Sequence, residues 1–214
     1  PAPITRADGL CALQVSWREG RILEVQPLEE GAKEPDGMLL PRLLEPHAHL
    51  DKAFSWSRYP NLSGTYAGAM AANLREHQSR TLEVVQERFE RSMHLAWRHG
   101  LRAVRTHIDS LGPGAQCSWD AILEGASRWQ DRVTVQPVAL VPVEHWSSSE
   151  GEQLAARVAA SGGLLGGVIT PPCSGRGHRQ ALRNLLALAD RHGCGVDLHI
   201  DEASSEPAAG MVQL

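Results

Sequence analysis

The sequence predicts an α/β fold, a (β/α)-barrel of the TIM type that is incomplete at about five of eight strands, with a small N-terminal β appendage. Three observations carry this. Short runs rich in Val, Ile and Leu alternate with longer stretches of helical period, the pattern of repeated βαβ units. The strand runs become polar on one face towards their C-terminal ends. The chain has 214 residues, whereas a closed eight-stranded barrel takes about 250.

Two short strands are expected first, Leu10–Ser16 and Arg21–Val25, with Arg18-Glu19-Gly20 as the turn between them. Residues 1–37 are read as the appendage, packed against a barrel portion over 38–214. The first barrel strand is placed at Met38–Pro46. A long loop follows, marked by Pro60, Gly64 and Gly68. Thr81 then caps a helix in which Leu82, Val85, Phe89, Met93 and Trp97 step by three and four, ending at Gly100. Strand two is Leu101–Ile108. The next helix sets Trp119, Ile122, Leu123, Ala126 and Trp129 on one face. Strand three is Val133–Val141, helix three Gly151–Ala160, and strand four Leu164–Ile169. A helix over Arg179–His192 is expected to bury Leu182, Leu185, Leu186 and Ala189. Strand five is Gly195–Ile200, and a further helix is expected to begin near Glu206-Pro207. The count is five parallel strands and four complete helices.

Composition excludes several classes. Apolar residues make up 42% and charged residues 21%, with a formal charge of -4, so disorder and a basic nucleic-acid surface are not expected. No apolar run reaches the roughly 18 residues of a membrane span. The start, Pro1-Ala2-Pro3-Ile4, lacks a signal-peptide layout and an initiator Met, which suggests a trimmed start. Cys11, Cys117, Cys173 and Cys194 are widely spread, which suits unpaired thiols of a cytoplasmic protein.

Side chains alternate along a strand. Val104, Thr106 and Ile108 share one face of strand two; Arg105, His107 and Asp109 share the other. Val196, Leu198 and Ile200 share one face of strand five; Asp197, His199 and Asp201 share the other. Barrel enzymes keep their chemistry at the C-terminal strand ends. His47-Ala48-His49 follows strand one, and two histidines at i and i+2 of an extended segment project to one side, where both imidazoles can reach one cation. An HxH pair alone is a weak signal among 10 histidines; its place behind an apolar strand and Glu45-Pro46 favours ligands. His199 sits at the matching end of strand five. Glu202 follows where the chain leaves the strand, able to hang over a metal and move protons, although most glutamates are solvated loop acids. His107 and Asp109 are read as structural or outer partners rather than ligands. Asp201 and Lys52 are grouped with them as partners of the metal residues or of substrate.

The motifs EPHAHLDKAF, NLSGTYAGAM, GLRAVRTHID and GVDLHIDE, in that order between Leu39 and Glu206, resemble the cytosine deaminase group of the amidohydrolase superfamily. The resemblance implies that His47, His49 and His199 are metal ligands and that Glu202 is the acid/base. It implies one divalent ion, zinc or iron, because Gly166-Gly167-Val168-Ile169-Thr170 offers no bridging lysine or glutamate at strand four. The family's strand-six histidine and strand-eight aspartate have no counterpart in these residues, so the chain alone is expected to be inactive and to bind metal weakly. The family's pyrimidine-binding glutamine is absent from Val138–Val143, which argues against cytosine itself as substrate. The expected activity is hydrolytic deamination of another nitrogen heterocycle by metal-activated water. Rival readings are cleavage of a cyclic amide or N-alkyl group by the same kind of barrel, and a non-catalytic truncated barrel that binds a partner. The other zinc deaminase signature, HxE with PCxxC, fails because Arg176 follows Pro172-Cys173 where the second cysteine should stand. The expected partner is a small heterocyclic substrate, with no nucleic acid and no membrane; a homo-oligomer is left open.

Overall fold

The computed structural model describes residues 9–28, 32–33, 35, 37–171, 173, 176–202 and 208–214. The chain divides into two compact units, Pro1–Pro41 and Arg42–Leu214. In the first, β1 (Leu13–Arg18) pairs antiparallel with β2 (Arg21–Pro27). Glu19 and Gly20 make the two-residue turn, both with positive φ (50° and 74°), which is the backbone a tight hairpin requires.

The second unit holds a parallel sheet of five strands in the order β3-β4-β5-β6-β7. These are β3 (Leu43–Ala48), β4 (Leu101–Asp109), β5 (Thr134–Leu140), β6 (Leu164–Ile169) and β7 (Val196–Ile200). Spatial order equals chain order, so every crossover steps the same way. With right-handed crossovers, that stacks the helices on one face and curls the sheet as in the first part of a TIM-type barrel. A doubly wound sheet would reverse its strand order. The crossover helices are α2 (Leu82–Arg98), α3 (Ala115–Trp129), α4 (Ser149–Ala160) and α5 (Arg176–His192). No helix among the described residues is long and apolar enough to cross a membrane.

Four details differ from the sequence reading. In the hairpin, β1 runs Leu13–Arg18 rather than Leu10–Ser16, so Arg18 pairs with Arg21 and belongs to the strand, not the turn. β3 begins at Leu43 rather than Met38. Pro41 has no N–H to give to a ladder, and the residues before it carry no strand pairing. The stretch after β3 read as loop contains a helix, α1 (Tyr66–Gln78). Thr65 caps it, its Oγ1 accepting from the Gly68 N–H. Gly68 leaves room there for two side chains of the preceding loop: a Cβ would stand 2.0 Å from Ser63 Oγ and 2.3 Å from Asn61 Oδ1, so both would have to turn aside. Finally, Leu186 is exposed, whereas Ala181, Leu182, Leu185, Leu188 and Ala189 are buried. At about 100° per residue that buried arc is centred on Leu185, and Leu186 falls beyond its edge. The further helix expected near Glu206-Pro207 lies outside the described residues.

The helices pack on the sheet through a core that includes Phe89, Met93, Trp119, Ile122, Trp146 and Leu185. Three buried indoles find acceptors: Trp119 on Ser110 Oγ (2.9 Å), Trp129 on Glu90 Oε2 (2.8 Å) and Trp146 on the Gly166 carbonyl (2.9 Å). Val104, Thr106 and Ile108 are buried on the helix side of β4. Arg105 and His107 therefore face the other side, towards the concave interior.

Candidate metal centre

Four imidazoles converge at the C-terminal ends of the strands. His47 closes β3, His49 follows it, His107 lies near the end of β4, and His199 near the end of β7. One ring nitrogen from each lies within 4.8 Å of the others. Ring centroids are separated by 4.4 Å (His47–His107), 4.6 Å (His47–His199) and 4.7 Å (His107–His199), and by 5.3 to 5.5 Å from His49 to the other three. His107, read from sequence as structural or an outer partner, stands inside this group.

Hydrogen bonds orient the rings. His49 Nδ1 lies 3.1 Å from the His107 carbonyl, which can only accept. The His49 proton is thereby placed on Nδ1, and its Nε2 lone pair faces His199 Nε2 at 3.4 Å. His107 Nε2 donates to Asp197 Oδ1 at 3.0 Å. His107 Nδ1 and His199 Nδ1 are buried with no hydrogen-bond partner among the described residues. Burial, reinforced by the Lys52 charge, lowers the pKa of His49 to about 3. Burial, then the neighbouring His107 and His47, lowers that of His199 to about 4. Both are neutral at pH 7, the form that ligates. Four crowded imidazoles, two of them with unpartnered nitrogens, fit a divalent ion such as zinc or iron.

A buried ionic network stands beside the histidines. Lys52 Nζ reaches both Asp109 oxygens (2.9 and 3.1 Å). Arg80 Nη1 donates to Asp51 Oδ2 (2.9 Å) and to Ser118 Oγ (2.9 Å), and Arg80 also pairs with Glu76. Arg88 pairs with Glu76 from the next helix. Burial would raise the Asp109 carboxyl, but the charges of Lys52 and Arg80 bring it down to about 2. Burial and the Asp109 charge push Asp51 up to about 6. Burial alone would raise Glu76; hydrogen bonds from Arg80 and Arg88 hold it below its ordinary value. The network ties α1 and α2 to the ends of β3 and β4, behind His49 and His107.

A cleft of about 770 Å³ opens at His49 and His199. His49, His199, Lys52, Asp109 and Glu202 all line it. Asp201 does not: its φ is 61°, and its carboxylate turns away to accept from the Gly210 N–H (2.6 Å) and the Met211 N–H (3.4 Å). Four further lining residues were not singled out from sequence. Asn73 and His77 come from α1, which had been read as loop. Glu144 stands on a short 3-10 turn after β5, and His178 on α5 places its Nδ1 3.0 Å from Glu144 Oε1. The helix-period polar residues of YAGAMAANLREHQ were the available signal for the first pair; nothing in the sequence marked the second.

No protein-family model matches the chain. Over 206 residues it is 31% identical to a pterin deaminase of Rhizobium rhizogenes, covering 92% of this chain and 46% of that protein. It is 23% identical to an N-isopropylammelide isopropyl amidohydrolase of a Pseudomonas species, covering 85% of this chain and 48% of that protein. A crystal structure of 5-methylcytosine deaminase from Klebsiella pneumoniae, liganded with 5-fluorocytosine, superposes with a TM-score of 0.75 at 24% identity, over 94% of this chain and 51% of that one. The chain spans about half the length of the curated relatives it matches.

Proposed function

We propose that this chain is part of a protein of the amidohydrolase superfamily and that it carries the metal-binding and proton-transfer residues of a hydrolytic deaminase of nitrogen heterocycles. The observation that carries this reading is the convergence of His47, His49 and His199 at the strand ends, with His49 and His199 lining a cleft that Glu202 also lines. His47, His49 and His199 would hold a single zinc or iron ion. When bound, that ion supplies Lewis acidity, making a nucleophile from water at neutral pH.

The chain's own residues do the rest. Glu202, on the cleft wall, takes a proton from water and delivers it to the departing nitrogen, since an amine is a poor leaving group until protonated. Lys52 and Arg80 keep Asp109 ionised beside His49. Leu140, Val141 and Pro142 give the cleft an apolar wall for a flat ring, while Glu144 and His178 supply polar groups for its edge. A carboxylate at that edge suits a ring bearing N–H donors. The amide expected in a cytosine-binding pocket is missing from Val138–Val143. A substituted ring such as a pterin, on which the Rhizobium relative acts by name, is therefore favoured over cytosine.

The name of the Pseudomonas relative supports a second reading, release of an alkylamine from a ring. A panel of pterins, aminopyrimidines and N-alkylamino triazines, incubated with the metal-loaded protein, separates the two. Ammonia release from an amino-substituted ring supports deamination. Alkylamine without ammonia supports the second reading, and neither product from metal-loaded protein that also carries the strand-six and strand-eight residues rejects both.

A further inference from the structure

We propose that His107, its ring oriented by Asp197, is a fourth nitrogen donor to the ion held by His47, His49 and His199. The proposal rests on the metal reading of the site and goes beyond the ligand set implied by family resemblance, which uses His47, His49 and His199 and gives strand two no ligand.

The first argument is position. His107 is fully buried and its ring stands 4.4 Å from His47 and 4.7 Å from His199, centroid to centroid, closer than His49 is to either. A residue that merely backed the site would lie outside the ring of ligands, not within it.

The second argument is the tautomer. Asp197 is an acceptor when ionised, and His107 Nε2 meets its Oδ1 at 3.0 Å. The His107 proton is therefore on Nε2, and Nδ1 carries a lone pair. That Nδ1 is buried and has no donor among the described residues. Buried polar atoms of folded proteins are nearly always satisfied. His77 Nε2 and His192 Nε2 are also buried without a partner among the described residues, but they join no cluster, whereas His107 spends Nε2 on a carboxylate and leaves Nδ1 unpartnered within a group of four imidazoles. A carboxylate–histidine pair of this kind is the arrangement that fixes ring orientation in metal sites and raises ligand basicity.

The third argument is how Asp197 is held. Its other oxygen accepts from Arg105 Nη1 at 2.6 Å, and Arg105 Nε donates to Gln136 Oε1 at 2.8 Å. Residues of β4, β5 and β7 thus lock one carboxylate beneath one imidazole. Asp197 acts through His107 and is a positioning residue.

The test is cobalt binding, read from visible absorption, which reports the number and kind of ligands. His107→Gln keeps an amide N–H near the position of Nε2 for Asp197 and removes the Nδ1 lone pair. We expect the unaltered protein to bind one Co²⁺, His107→Gln to bind it at least about 10-fold more weakly with shifted absorption bands, and Asp197→Asn to lose about 10–100-fold. Parent affinity and parent bands in His107→Gln would overturn the proposal. Should either variant misfold, long-range ¹H–¹⁵N spectra of the unaltered protein decide: His107 Nδ1 must shift on adding Zn²⁺, and an unmoved resonance overturns the proposal. No Co²⁺ uptake by the unaltered protein would remove the metal reading itself, a result distinct from a protein that binds cobalt without His107.

Discussion

His49 Nδ1 sits 3.1 Å from the carbonyl oxygen of His107, so a main-chain group of β4 decides which nitrogen of a β3-end histidine is free to bind a metal. The two strands are neighbours in a parallel ladder in which Ala48 pairs with Thr106. Leu50 N–H also donates to Thr106 Oγ1 at 3.0 Å, pinning the segment on both sides of His49. One substitution, followed by two measurements, separates the roles. His49→Asn keeps an amide near Nδ1 and can still donate to the carbonyl, but has no Nε2. We expect it to unfold within about 0.5 kcal/mol of the metal-free parent, the scale of a neutral substitution. Its Zn²⁺ affinity should fall by more than the roughly 10–100-fold typical of losing an outer partner. Denaturant unfolding and chelator competition measure the two quantities; unchanged zinc affinity would exclude His49 as a ligand.

Glu76 makes acid stability predictable in sign. Its carboxyl is nearly inaccessible, 2% exposed, and pairs with both Arg80 and Arg88. Its folded pKa lies below the ordinary 4.5. The folded state therefore binds its proton less readily than the unfolded state, and the contribution to stability is fully present above pH 4.5 and lost as pH falls through the folded value. Glu76→Gln should remove that pH-dependent part. It also leaves Arg88 without a carboxylate partner among the described residues, while Arg80 keeps Asp51 and Asp109, at a cost of up to about 3 kcal/mol near neutrality. Urea midpoints measured from pH 3 to pH 7 should show a shallower acid slope in the variant. An equal slope would mean the carboxylate contributes nothing.

Gly125 is where α3 meets α2. A Cβ there would lie 2.3 Å from Phe89 Cε1, and Phe89 is fully buried, so the ring has nowhere to retreat. Gly125→Ala should cost about 1–3 kcal/mol by overpacking, even though alanine is the better helix former by about 1 kcal/mol. A stabilised variant would show that the helices can separate at no cost.

Much of this molecule was legible because its signals are periodic. In α2, Val85, Phe89 and Met93 step by four and are buried, Thr81 caps the start, and Gly100 (φ 78°) follows the end, although Leu82 and Trp97, read on the same face, are exposed. In β4 the two-residue alternation separates Val104, Thr106 and Ile108 from Arg105 and His107. The helix α1 was not legible, since Ala67, Gly68, Ala69, Ala71 and Ala72 carry little hydrophobic contrast and a glycine in a first turn reads as loop. Its reason for being helical is tertiary: it presents Glu76 and His77 inward. The place of His107 was hidden for a different reason. Sequence puts it on the interior face of its strand, but only the curl of the sheet, which brings β7 opposite β4, shows that Asp197 takes one nitrogen and leaves the other to the site.

Two adjacent acids after β7 have opposite fates, and this yields the sharpest functional prediction. Strand alternation alone would favour Asp201, which lies two residues from His199. The chain instead enters a left-handed conformation at Asp201, φ 61°, and its carboxylate is spent on the N–H groups of Gly210 and Met211. Glu202 lines the cleft together with His199. Glu202→Gln in a metal-loaded, active form should lower kcat by about 10²–10⁴-fold with metal content unchanged, the usual loss on removing an acid/base group. Asp201→Asn keeps one carbonyl acceptor for the turn and should cost on the order of 1 kcal/mol of stability, the scale of a lost cap. Its kcat should stay within a few-fold of the parent. Turnover, bound metal and urea midpoint measured on the same preparations separate these outcomes. Near-normal turnover in Glu202→Gln, alongside a metal-replete but inactive Asp201→Asn, would transfer the proton relay to Asp201.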